Sequence, residues 1–264
     1  MYTYNIKLQD FANLALKNEW RNAVFVFAEE NDISKLGTAP NITMQFSPFD
    51  DKLPIILVLT SDTLEPIYEN TIAPNTYILK LARQTLDVAK QSSWEYMYNY
   101  LKTFKQIDCA LFAEWFSVIS QDDIPLNMNR NPHFSWEKPK IDVDSSDWYA
   151  KMCTTAANNN LCAVGVDRRH GTDLLALTGH TLEPYPTQLV LYNFVALRKL
   201  GLGVQRTHTT NYMIRDTLFA LQIMAEGGAV NTVPTFTVNA PTVTYTEDDI
   251  HTVLELPKKF KGVL

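Results

Sequence analysis

The chain has 264 residues, of which 46% are hydrophobic and 20% charged, so it can bury one large core or two of ordinary size. Its 29 acidic and 23 basic residues give a net charge of −6, which disfavours a protein that grips nucleic-acid phosphates. The best apolar run, residues 53–59, has only strand length, and the N-terminus lacks a secretory pattern; we therefore expect no membrane span and synthesis in the cytoplasm.

Periodicity in the first half predicts helices alternating with short strands. Buried strands are expected at 23–27 and 55–59, because these runs are continuously apolar. Apolar spacing predicts helices at 7–20, 75–91, 94–104 and 108–119, the third capped by Ser92 or Ser93.

The character of the sequence changes at 121–141, a proline-rich stretch with little periodicity that predicts a linker or long loop. Beyond it we expect a helix near 145–159, a strand at 161–166 and two further helices, at 187–201 and 211–226. This gives four predicted parts: an N-terminal half at 1–120, the linker, a C-terminal half at 142–228 and an extended C-terminal arm at 229–264.

An octamer occurs twice, as LTSDTLEP at 59–66 and LTGHTLEP at 177–184, and six of its eight letters agree. In both places an apolar run precedes it and two predicted helices follow. We interpret this as an internal duplication of about 45–107 and 165–226, because repeats often mark architecture. The shared residues are those that close a turn and fix an extended entry into a helix: Thr63, Leu64, Glu65, Pro66, Thr181, Leu182, Glu183 and Pro184.

His180 is the strongest candidate for catalysis, with Asp173 or Glu183 as its orienting carboxylate. The matching position in the other copy is Asp62, so the repeat favours a turn rather than an active site. A metal site formed by His170, Asp173 and His180 lacks any supporting ligand spacing.

Two other motifs have simpler explanations. The acidic stretch 142–147 is expected to begin a helix, since the glycine and distal glutamate of a calcium loop are missing. Gly201 and Gly203 follow a predicted helix rather than a strand, so Gly201 is expected to end that helix rather than to cradle a phosphate.

Aromatic and alternating apolar residues indicate surfaces for protein–protein contact. Tyrosines spread around the helix at 94–104, and threonines alternate with apolar residues in the C-terminal arm, which could pair with a neighbouring sheet edge. The candidate interaction residues are Trp94, Tyr96, Tyr98, Tyr100, Phe236, Val238, Val243 and Tyr245.

The stretch 184–228, with a proline entry, a Leu- and Tyr-rich helix, a glycine break and a second such helix, resembles the helical hairpin of tailed-phage head-to-tail connector proteins. The resemblance implies a ring-forming virion subunit without catalytic residues, assembled in the host cytoplasm. Its partners would be further copies and other virion proteins; DNA would at most pass through a lumen, and no membrane, metal or cofactor is expected.

The predicted fold is therefore α+β, with helix hairpins packed on short strands, and the predicted protein is not an enzyme. Two alternatives remain open. One is a hydrolase or transferase with a site near 168–183, and the other is a module that binds a peptide along its free strand edge.

Overall fold

The computed structural model describes residues 4–28, 53–60, 76–82, 86, 92–115, 117–121, 145–168, 185–204, 211–239 and 245–263. The described strands are β1 (Tyr4–Ile6), β2 (Asn22–Ala28), β3 (Ile55–Leu59), β4 (Tyr77–Lys80), β5 (Cys109–Glu114), β6 (Val118–Gln121), β7 (Ala163–Arg168), β8 (Leu189–Asn193) and β9 (Val230–Asn239). The described helices are α1 (Leu8–Lys17), α2 (Ser93–Thr103), α3 (Ser145–Asn159), α4 (Phe194–Leu200), α5 (Tyr212–Ala225) and α6 (Glu247–Lys259).

These strands form one nine-stranded sheet in the order β1-β4-β3-β2-β5-β8-β7-β9-β6. The first five strands of that order are mutually parallel. β8 is antiparallel to β5 and β7, and β6 is antiparallel to β9 at the far edge. The sheet therefore has a parallel half, built from the N-terminal strands, and a mixed half.

Both faces of the sheet are buried. Phe25 and Phe27 of β2 pack on one side with helices α1, α2 and α4. Val24 and Val26 point to the other side, where α3 covers them. Strands covered on both faces need apolar side chains at every position, which explains why the sequence is continuously apolar at 23–27 and 55–59.

The prediction of helix hairpins packed on short strands is wrong. Residues 77–80, 109–114 and 189–193 were expected to be helical and are strands of the sheet. Most side chains of these strands are buried on both faces of the sheet. A short apolar run of that kind shows no alternation, so its pattern fits a buried helix and a buried strand equally well. The fold is an α/β sheet with helices on both faces.

The two copies of the predicted duplication have different surroundings. In the first, β3 and β4 are parallel neighbours. In the second, β7 and β8 are antiparallel neighbours. The described parts of the two copies therefore do not share one structure. Strands from both predicted halves of the chain belong to one sheet.

The prediction of an extended C-terminal arm is also wrong. β9 lies between β7 and β6 within the sheet, so its backbone is paired inside the chain. After it, α6 begins at the cap Thr246 and packs on α5 through Val253 and Leu256. No helix among the described residues combines the length and apolarity that crossing a membrane requires.

Arg198 of α4 joins the two halves of the chain. Its Nη2 lies 2.8 to 3.0 Å from three carbonyl oxygens at and after the end of α2, those of Leu101, Phe104 and Ile107. Its Nε donates to the Lys102 carbonyl at 3.1 Å. These carbonyls lack partners within their own helix, so the guanidinium satisfies the end of α2. Gly201 ends α4 with φ 69°, as predicted.

We expect Arg198→Met to lower the free energy of unfolding by about 2–4 kcal/mol, because hydrogen bonds to a charged group are lost and carbonyl groups are left without donors. Urea denaturation provides the measurement. Lys199→Met is the matched control: it removes the same charge from an exposed neighbour in α4 and should have little effect. Equal losses for the two variants would contradict this role of Arg198.

The three cysteines are free thiols. Burial raises the pKa of Cys109 to about 12, with Cys153 and Asp108 adding to the effect. Burial also raises the pKa values of Cys153 and Cys162.

Because the thiolate is the reactive form, a raised pKa means slow alkylation at pH 8. We expect iodoacetamide to label Cys109 at least about 100-fold more slowly in the folded protein than in urea, where a thiol has a pKa of about 8.5. Mass spectrometry of peptides over time provides the rates. Labelling of Cys109 at the unfolded rate would contradict the prediction.

Candidate functional site

The strand order reverses direction next to β2. From β2 the chain passes to β3 and then to β4 on one side, whereas β5 lies on the other side of β2. In open α/β sheets, ligands bind in the crevice outside the carboxyl ends of the strands at such a switch point. The carboxyl ends of β2 and β5, at Ala28 and Glu114, therefore mark the candidate site.

A buried ion cluster occupies this end of β5. The Nη2 of Arg215 lies 2.8 Å from Oε1 of Glu114 and 2.9 Å from Oδ1 of Asp216. The Nε of Arg215 also donates to that Asp216 oxygen at 2.9 Å. The exposed fraction of each of the three residues is 7% or less, so the charges are matched almost entirely within the protein. We call Glu114, Arg215 and Asp216 the acidic cluster.

Gln188 connects the acidic cluster to the start of β8. Its backbone N–H donates to Oδ2 of Asp216 at 2.8 Å, and its carbonyl accepts from the backbone N–H of Glu114 at 3.0 Å. Its side chain donates to Ser117 at 3.2 Å. The residue is buried and has a φ of 66°, a conformation that non-glycine residues seldom adopt outside constrained sites.

An aromatic group forms the floor beneath Arg215. The centre of its guanidinium lies 4.8 Å from the centroid of the Trp94 ring. That ring stacks on Tyr98 and meets three others edge to face: Phe112, Tyr192 and Phe219. A cation over a desolvated indole face is stabilised by the ring's quadrupole, so α2 also contributes to holding Arg215.

Burial and charge act in opposite directions on these groups. Burial alone would lower the pKa of Arg215, but Asp216 and Glu114 outweigh it and raise that pKa. Burial raises the pKa of Asp216, while Arg215 and the Gln188 N–H oppose the shift. A buried carboxylate whose pKa is perturbed in this way, at the switch point of the sheet, supports this edge as the candidate functional site.

A cavity of about 560 Å³ opens on the same edge of the sheet, at the carboxyl ends of β1 and β4. Apolar side chains form part of its lining, and its charged lining residues are Lys7, Lys80 and Asp10. β4 lies three strand spacings from β5, about 14 Å across the sheet. Two ammonium groups and one carboxylate give the lining a net positive charge, which suits an anionic ligand with an apolar body.

The predicted interaction residues lie in several environments. Trp94 and Tyr98 are buried in the core, whereas Tyr96 and Tyr100 are partly buried against it. In the C-terminal region Val238 is buried, Phe236 pairs through its backbone with Gln121, and the Tyr245 hydroxyl contacts the Met213 sulfur at 3.6 Å. Val243 lies outside the described residues. A role of these residues in partner binding stays a prediction.

The remaining candidates from the sequence cannot be placed. The predicted turn residues 63–66 and 181–184 lie outside the described residues, as do His170, Asp173 and His180. Among the residues that the structure describes, no three His, Cys, Asp or Glu side chains group as metal ligands.

The sequence reasoning did not single out Glu114, Arg215 or Asp216. One signal was available: Arg215 and Asp216 are adjacent charges inside a largely apolar helix, α5, in which nine other residues are buried with them. Glu114, at the end of an apolar run, is the natural partner to look for in an α/β sheet.

Comparison with known proteins supports the fold. No protein-family model and no curated protein matches the chain. The mannosyltransferase PcManGT of Pyrobaculum calidifontis, solved with GDP-Man and Mn2+, is 13% identical with a TM-score of 0.50, over 96% of this chain and 78% of that one. TarS of S. aureus is less similar: with UDP bound it is 11% identical with a TM-score of 0.48, over 89% of this chain and 64% of that one.

The chain shares its α/β fold with PcManGT, and this fold overturns the resemblance to phage connectors. In the stretch 184–228 that carried the resemblance, β8 is an inner strand of the sheet rather than half of a helix hairpin. β9, the strand expected to lock neighbouring subunits, is paired within the chain. The expectations of a non-enzymatic virion subunit, a ring of copies and virion partners are therefore wrong.

The acidic cluster predicts energetic coupling between Glu114 and Arg215. Arg215→Met leaves two buried carboxylates without this cation and should cost about 3–5 kcal/mol in unfolding free energy. Glu114→Gln leaves Arg215 paired with Asp216, so it should cost less, about 1–3 kcal/mol for the weakened charged hydrogen bond. The double variant should cost less than their sum by about 1–3 kcal/mol. Urea denaturation of all four proteins tests this, and costs that simply add would show that the two residues act independently.

Proposed function

We propose that the protein is a glycosyltransferase that moves a sugar from a nucleoside-diphosphate donor to a hydroxyl group. The observation that carries this proposal is the acidic cluster at the switch point of a sheet that shares its fold with a mannosyltransferase. Of the functions that the sequence left open, this corresponds to the transferase.

In the proposed reaction, the bond between the sugar's anomeric carbon and the diphosphate oxygen breaks, and the nucleoside diphosphate leaves. A new bond forms between that carbon and the acceptor oxygen, whose proton passes to a base. We assign no side chain of the acidic cluster as this base, because both oxygens of Asp216 accept hydrogen bonds within the protein, from Arg215 and from the Gln188 N–H. The role of the acidic cluster in this proposal is to position the carboxyl end of β5 beside the reacting groups: Glu114 fixes Arg215, which in turn holds Asp216.

The donor extends along the carboxyl edge in this proposal. The sugar lies near the acidic cluster, and the charged nucleotide portion lies toward the cavity with Lys7 and Lys80. This placement puts hydroxyl groups beside carboxylates and phosphates beside ammonium groups, which matches the chemistry of both ends.

The Mn2+ of the mannosyltransferase complex raises the question of whether the acidic cluster fits a metal ion. It does not, among the residues that the structure describes. A divalent cation requires carboxylate oxygens that face an open position, whereas Glu114 and Asp216 both face the guanidinium of Arg215. We therefore route no step of the reaction through a metal at this cluster.

The proposal is tested with GDP-mannose and UDP-N-acetylglucosamine as donors, by release of the nucleoside diphosphate to water or to added acceptors. We expect Asp216→Asn to lower the rate by about 10²-fold, because it releases Arg215 and Gln188 and so displaces the groups that border the reaction. Melting temperatures establish that the variants remain folded.

Asp108→Asn is the matched control. Asp108 precedes β5 at the opposite edge of the sheet and pairs with Arg21 at 2.7 Å, so it is an ion-paired carboxylate outside the proposed site. The control should retain the wild-type rate. Failure of the wild-type protein to bind either donor in a titration followed by nuclear magnetic resonance, or equal losses in both variants, would falsify the proposed role of this edge.

A further inference from the structure

Arg215 has the position that a cation bridging two carboxylates would take. It contacts oxygens of both Glu114 and Asp216, one from β5 and one from α5, at 2.8 and 2.9 Å. Two acidic side chains lie together at this buried point, each within hydrogen-bond distance of the same guanidinium. The guanidinium itself supplies the charge that permits their approach.

The surroundings fix this cation in place. Trp94 of α2 lies under the guanidinium, and Asp216 is itself held by the backbone N–H of Gln188. Three separate elements and one loop residue thus converge on a group that is covalently part of the chain. A bound metal ion, in contrast, would be lost and regained according to its concentration.

We propose that Arg215 is a built-in substitute for a divalent cation, so that Glu114 and Asp216 bind no divalent ion while it is present. Arg215 is a positioning residue in this proposal, acting on the two carboxylates and not on the substrate. The inference rests on the proposed function, because only that function makes the acidic cluster part of a site of sugar transfer. Transfer at this cluster then has no requirement for a metal bound between these carboxylates.

The charge state of Arg215 agrees with this role. The two carboxylates outweigh the effect of burial and raise its pKa, so the guanidinium stays charged throughout the range in which the protein is folded. The substitute cation is therefore permanent, and its presence does not depend on pH or on the metal supply.

The test measures metal binding through stability and uses no sugar nucleotide. Wild-type protein, Arg215→Met and the control Arg198→Met are freed of metal with a chelator and melted with and without millimolar MnCl2. Arg215→Met should melt about 6–20 °C lower, because it leaves buried carboxylates uncompensated. Mn2+ should then raise its melting temperature by several degrees, since an ion that binds only the folded state stabilises it.

Mn2+ should leave the melting temperatures of the wild type and of Arg198→Met unchanged. Arg198 contacts carbonyl oxygens and no carboxylate, so its loss also destabilises but creates no acidic site. Adding Glu114→Gln to Arg215→Met should abolish the rescue by Mn2+. A rescue that is equal in the two arginine variants, or that survives Glu114→Gln, would overturn the proposal.

A second measurement covers the case in which Arg215→Met does not fold. Mn2+ binding to wild-type protein and to Glu114→Gln is followed by electron paramagnetic resonance. Equal Mn2+ binding by the two proteins supports the proposal. If the wild type binds a Mn2+ ion and the Glu114→Gln variant does not, the proposal is overturned. Because neither measurement includes a donor, failure of donor binding would reject the proposed function separately.

Discussion

A charged guanidinium buried beneath the crevice must be matched by charges that the chain itself provides. Arg215 obtains them from Glu114 and Asp216 and rests on the Trp94 ring. The requirement draws together the end of β5, the first turns of α5 and the start of α2. Gln188, in the segment before β8, adopts a left-handed backbone conformation and donates its N–H to Asp216, so this strained residue also belongs to the network around the cation. The geometry of the candidate site follows from satisfying one buried cation.

The sheet determines where this cluster lies. The central parallel strands β2, β3 and β5 are largely apolar and buried on both faces, so polar side chains gather at the strand ends. Glu114 is the last residue of β5 and stands beside Phe27 of β2 in register. The strand order reverses between these two strands, and ligand sites in such sheets lie at a reversal of this kind.

Sequence patterns predicted the capped helix after Ser92 and the short apolar strands at 23–27 and 55–59, and these are confirmed. β5 and β8 were mistaken for helices because they lie within apolar stretches of helical length, and side chains buried on both faces leave no period that would separate strand from helix. The acidic cluster was missed because Glu114 and Arg215 are 101 residues apart, and a local pattern carries no information about such a pairing. The two copies of the repeated octamer are similar in sequence, but the strands around them pair differently, in parallel in the first and antiparallel in the second.

The charge of the acidic cluster limits what it can contact. Two carboxylates and one guanidinium sum to one negative charge when all are ionised, and low polarity around them strengthens repulsion of any further anion. A diphosphate placed directly on this cluster would be repelled, whereas uncharged sugar and acceptor hydroxyls beside it would not be. The positive charge that phosphates require is found on the same edge, at Lys7 and Lys80 beside the cavity. A ligand that is anionic at one end and rich in hydroxyls at the other matches this separation, which is why a nucleoside-diphosphate sugar suits this edge better than a phosphorylated substrate bound at the cluster itself.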